Sequence, residues 1–190
     1  MKIMNLKLHP KSTSKALATN YASLVEVLIL MGVGALAIIL RAKLRIPINI
    51  PGHHGVEVMA LIIAGRSLSN FKPASTISTL AASILILFPF MGFKDPFLPA
   101  IYITMGLTID FLFVSFEKFR KNIVFLALLG GVSYMIIPLS RLLINLTTGY
   151  PYNSLLKHGI IAKIALHLTF GMFGALLGAG ISMPFIRKKQ

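Results

Sequence analysis

The chain contains no cysteine. Disulfides, thiolate catalysis and Cys-ligated zinc or iron–sulfur clusters are therefore excluded, while the redox compartment stays open. Charge is sparse as well: charged residues make up 13 % of 190 residues, and only five are acidic, where soluble domains carry roughly 25 % charged residues. No G-x-x-x-x-G-K-[ST] phosphate loop occurs, so ATP hydrolysis through a P-loop is not expected of this chain. No G-x-S-x-G elbow occurs with an evident acid and base. The sequence is accordingly read as a non-enzyme with no catalytic residues, no metal and no cofactor. No apolar run with a small-residue cleavage site follows within the basic N-terminal segment (Lys2, Lys7, Lys11, Lys15), so a removable signal peptide is not expected.

What the sequence does have is apolar mass. The hydrophobic fraction is 56 %, against roughly 45–50 % in soluble domains, and the surplus has to face lipid. About 20 mostly apolar residues cross the hydrocarbon as a helix. Segments at roughly 21–44, 54–70, 74–92, 97–116, 123–148 and 156–186 qualify or nearly qualify. The reading is an all-α membrane bundle of about six transmembrane helices. Residues 1–20 form a basic cytoplasmic segment and 21–190 a single membrane domain. Between the first two helices, Ile46-Pro47-Ile48-Asn49-Ile50-Pro51-Gly52 opposes continuous helix and suits an extended or re-entrant loop. Irregular backbone at membrane depth is tolerated where protein buries it or a cavity wets it, so this loop is a candidate cavity wall.

The net charge of +14 is assigned to membrane orientation, not to nucleic acid. With six crossings, the N-terminal lysines, Arg66, Lys72, Lys118, Arg120, Lys121 and Arg187 to Lys189 fall on one side. They outnumber Arg41, Lys43, Arg45, Lys94, Arg141, Lys157 and Lys163 on the other. Both termini are therefore expected in the cytoplasm of a plasma-membrane protein. The basic groups outside either snorkel at the interface or attract an anionic solute or lipid headgroups.

Ionisable groups within a membrane are costly and call for partners. Arg66 and Asp110 both lie ~18–20 Å below the outer surface and could pair structurally. The stretch Pro51-Gly52-His53-His54-Gly55-Val56-Glu57 offers two imidazoles and a carboxylate to a polar ligand or a divalent metal, or to the loop itself. Only one of the adjacent histidines can share a helical turn with Glu57, and the spacing differs from the zinc-protease motif. Tyr134, Pro138, Arg141 and Asn145 form one stripe. His158, Lys163 and His167 follow on the last helix, and Thr147 to Asn153 form a turn-rich loop suited to closing over a small molecule. Tyr150 and Tyr152 fit an aromatic interface belt equally well.

Gly34-Ala35-Leu36-Ala37 leading to Arg45-Ile46-Pro47-Ile48, Met59 to Gly65 in the second helix, and the glycine-rich run Leu168 to Gly178 together carry a family likeness. The chain resembles the substrate-binding S component of energy-coupling factor (ECF) transporters, nearest in local pattern to the biotin type. The family's A-x-x-x-A docking motif has its spacing only at Ala18 and Ala22, at the very start of the first helix. The resemblance implies capture of a vitamin or similar micronutrient from outside. Uptake would be driven by a separate module with a transmembrane coupling subunit and ATPase subunits. The expected substrate-binding residues are Asn49, His53, His54, Glu57, Tyr134, Arg141, Asn145, Tyr150, His158 and His167. A membrane-embedded enzyme acting on a lipid or isoprenoid, with His53, His54 and Glu57 as acid–base or metal ligands, is the alternative, and a scaffold whose polar groups are structural is a third.

Overall fold

A computed structural model describes residues 10–44, 50–152 and 159–188, with side chains from residue 23 to residue 185 within those ranges. All regular structure among these residues is helical. The elements are α1 (Pro10–Lys43), α2 (Gly55–Leu68), α3 (Ala74–Ile86), α4 (Leu98–Ser115), α5 (Ile123–Tyr134), α6 (Ile136–Thr148) and α7 (Ile160–Lys188). Single 3-10 turns lie at Pro89–Met91 and Glu117–Phe119.

Four segments are long and apolar enough to cross a membrane: Ser23–Lys43, Leu98–Ser115, Ile123–Thr148 and Ile160–Phe185. Helices α2 and α3 have 14 and 13 residues, about 20 Å of helix, which is less than the ~30 Å hydrocarbon layer. The segment expected as one helix over 123–148 is two. The Pro138 ring cannot donate to the Tyr134 carbonyl and crowds it, so the helix is interrupted at Met135. The expected loop at 46–52 falls largely on residues 45–49, outside the described residues.

Helix α2 is the centre of the bundle and packs on α7, α1, α3 and α5. Its Val58, Met59, Ile62 and Ile63 are fully buried and belong to one apolar core with Ile38 of α1, Tyr102, Met105 and Ile109 of α4, and Leu126 of α5. Small residues permit this closeness: Gly174 and Gly178 of α7 lie against the α2 backbone, and Gly34 and Gly106 bring α1 and α4 onto α3. Two buried hydroxyls of α3 are satisfied locally, Ser78 donating to the Ala74 carbonyl at 3.2 Å and Ser83 to the Thr79 carbonyl at 2.7 Å. The outward faces are apolar instead, with Leu24, Val25, Leu28 and Ile29 of α1 and Phe173, Leu177 and Ile181 of α7 all exposed. A soluble protein rarely leaves a continuous apolar surface of that extent uncovered.

Candidate functional site

Polar side chains gather at the two ends of this apolar body. At the end formed by the C-terminus of α2 and the N-terminus of α3, Arg66 pairs with Asp110 at 3.0 Å and donates to the Phe71 carbonyl at 2.7 Å. Asp110 also accepts from the Ser75 and Thr76 amides at 3.0 and 2.7 Å and from the Thr76 hydroxyl at 2.7 Å. A carboxylate from α4 thus caps α3, satisfying amides a helix start leaves free. Arg66 and Arg120 both lie over the Phe113 ring. Glu26 of α1 accepts from the Ser69 hydroxyl at 2.6 Å and the Asn70 amide at 3.1 Å. The Arg66–Asp110 pair, the Asp110 cap on α3 and the Glu26–Ser69 bond each tie one helix to the next.

The opposite end is built differently. Pro51 to His54 form a turn stacked on the start of α2, its Gly52 at φ 85° and the Gly55 amide donating to the Gly52 carbonyl at 2.8 Å. His54 bonds Glu57 at 2.6 Å, so of the two adjacent histidines it is His54 that takes the carboxylate. His53 Nδ1 instead meets the Ile50 carbonyl at 2.8 Å. Beneath this turn the Tyr134 ring stacks on His167, centroids 5.2 Å apart. A Cβ on Gly52 would come within 2.9 Å of the His167 ring, and one on Gly55 within 2.6 Å of Tyr134. Glycine at both positions lets the turn press onto the stacked pair.

From the other side, Arg41 of α1 donates to the Tyr102 hydroxyl and lies over the Phe93 and Tyr102 rings. Asp95, in the segment before α4, binds Arg141 of α6 at 2.8 Å. It also accepts from the Tyr152 hydroxyl at 3.0 Å and the Phe97 amide at 3.1 Å. Tyr150 packs edge-on to Phe97 and to Tyr152, and Asn145 donates to the Tyr150 carbonyl at 2.8 Å. Burial and the neighbouring Asp95 carboxylate raise Tyr152 above its ordinary tyrosine value, so its hydroxyl stays a donor at physiological pH.

Of the expected site residues, His53, His54, Glu57, Tyr134, Arg141, Tyr150 and His167 all sit at this end. Asn145 serves the 149–152 turn, and Asn49 and His158 lie outside the described residues. The structure adds Arg41, Asp95, Tyr102, Tyr152 and Lys163. Among the described residues no three His, Asp or Glu groups converge as metal ligands do. Among the described residues, His53 Nε2 and Lys163 Nζ at this end are buried without a hydrogen-bond partner, as are the Ser67 and Ser75 hydroxyls at the other.

The class this defines is an all-helical bundle whose apolar spans fit an integral membrane protein, with a polar cluster at one end. Compared with protein-family models, curated proteins and solved structures, the chain matches none.

Proposed function

We propose that this chain is the membrane-embedded substrate-binding subunit of an ECF-type transporter. It crosses the bilayer six times with both termini in the cytoplasm, and takes up a vitamin or similar micronutrient from outside. The reading is carried by one observation: side chains from six helices, Arg41, Glu57, Tyr102, Tyr134, Arg141 and His167, converge at a single end of an otherwise apolar body. Small-molecule sites need such a few placed polar groups within apolar walls, commonly between helices. At the opposite end the charged groups Arg66 and Asp110 pair with each other, and Asp110 caps α3. The turn at 51–54 and the 149–152 segment flank the cluster and serve as its lips. On this reading the short α2 and α3 cross together with the turns that adjoin them, Pro51 to His54 before α2 and Pro89–Met91 after α3. Energy comes from a separate coupling subunit and ATPase, in keeping with the missing phosphate loop.

The test is uptake. Cells expressing the chain with an ECF module should accumulate a labelled micronutrient, and Tyr134→Ala or Arg141→Ala should abolish it with the protein still in the membrane. Turnover of a lipid or isoprenoid by the purified chain alone would replace this reading with a membrane-embedded enzyme.

A further inference from the structure

The chain has five carboxylates, and each is committed. Glu26 holds Ser69 and Asn70, Glu57 holds His54, Asp95 holds Arg141 and Tyr152, Asp110 holds Arg66 and the start of α3, and Glu117 holds Arg120. No carboxylate is left for Lys163. Yet Lys163, on the first turn of α7, is only 4 % exposed, and its Nζ has no hydrogen-bond partner among the described residues. A buried ammonium without a counter-charge is costly.

Two imidazoles belong to the same polar end. His167, one turn further along α7, directs Nδ1 at the Lys163 carbonyl at 2.8 Å, and His53 directs Nδ1 at the Ile50 carbonyl at 2.8 Å. A carbonyl only accepts, so in each imidazole Nδ1 is the donor. Gly52 brings the 51–54 turn onto the His167 ring.

We infer that the solute captured at this site is an organic acid whose carboxylate or phosphate seats against the Lys163 ammonium. The inference rests on the capture reading above and narrows it to a chemical class. An anionic group supplies the missing counter-charge and makes charge-assisted hydrogen bonds in a site that excludes water. Without it the orphaned cation is a standing destabilisation of the kind kept at binding sites.

The experiment is thermal unfolding of the purified full chain in a non-ionic detergent. The probes are matched acid and neutral pairs: nicotinate and nicotinamide, pantothenate and panthenol, biotin and biotin amide. Acetate and inorganic phosphate are added alone, and phosphatidylglycerol is compared with phosphatidylcholine. At least one soluble acid or simple anion should stabilise the wild type while its neutral counterpart does not. Lys163→Met should weaken that binding about tenfold or more, while Lys163→Arg should retain much of it. Lys163→Met should also melt higher than the wild type with no ligand present. The inference is overturned if no acid or simple anion stabilises the protein in a Lys163-dependent way, or if the effect appears with phosphatidylglycerol alone, which would make this a lipid-headgroup site. A neutral micronutrient that binds while no acid does leaves capture standing and removes the acid. Simple anions that bind at Lys163 while no micronutrient does support the anion site and remove capture.

Discussion

Asp95 and Arg141 form an ion pair at 2.8 Å across 46 residues of sequence, and Tyr152 donates to the other carboxylate oxygen at 3.0 Å. The contact clamps the segment before α4 to α6 and to the turn after it. Both side chains are mostly buried, so Asp95→Asn strands the Arg141 charge and should cost about 2–4 kcal/mol of stability. Tyr152→Phe removes one hydrogen bond and should cost about 1 kcal/mol. Thermal or denaturant unfolding of the purified variants checks both, and an Asp95→Asn protein as stable as the wild type would show that the clamp is idle.

The same tyrosine makes a pH prediction. Its folded-state value is raised above 10 by burial and by Asp95. The stabilisation is therefore fully present below the unfolded value and is lost as pH rises above about 10 towards the folded value. The stability difference between the wild type and Tyr152→Phe should be flat from pH 6 to 9 and should change only at more alkaline pH. A difference that titrates near neutrality would mean that the hydroxyl is not held as described.

Asp110 is structural. Asp110→Asn breaks a buried ion pair and weakens the cap on α3, which should cost about 3 kcal/mol and leave ligand affinity unchanged once the protein is folded. Loss of affinity at unaltered stability would place Asp110 in the binding machinery instead.

Gly52 and Gly55 let the 51–54 turn close on Tyr134 and His167. At Gly52 the φ of 85° disfavours any Cβ by about 1–2 kcal/mol, and at Gly55 an added methyl must displace a buried ring at about 1–3 kcal/mol. Gly52→Ala and Gly55→Ala should each lower the melting temperature and weaken ligand binding together. Gly32→Ala is the control, because nothing lies within 4 Å of its would-be Cβ, and it should be neutral.

Orientation is open to a direct check. A green fluorescent protein fused to the C-terminus should fluoresce, and alkaline phosphatase fused after Lys94 should be active. Active phosphatase at the C-terminus would reverse the charge-based assignment.

Much of the helical layout was legible in the sequence because apolar runs of about 20 residues have few alternatives. Counting depth along two helices was enough to place Arg66 beside Asp110, a pair now seen at 3.0 Å. Helical spacing also put Glu57 within reach of one histidine only. The break at Met135 was not anticipated, although Pro138 was in view, because a proline in an apolar run kinks or merely bends a helix depending on what packs against it. Arg41, Tyr102, Asp95 and Lys163 were missed as site residues. Arg41 meets Tyr102 across 61 residues and Asp95 meets Tyr152 across 57, and no local pattern encodes such pairings. The one available signal was scarcity: with five acids in the chain, each carboxylate has to be accounted for, and that count exposes Lys163.

The most direct measurement is thermal unfolding of the purified full chain against a panel of water-soluble vitamins, each titrated to saturation. A tight ligand at about 100-fold its dissociation constant adds about 2.7 kcal/mol, which corresponds to roughly 5–10 °C in a chain of this size. One vitamin should produce a saturable shift of that order with one site per chain, and Tyr134→Ala should abolish it. If no vitamin in the panel shifts the transition, while the protein is folded and monodisperse, the polar end of this bundle does not capture micronutrients.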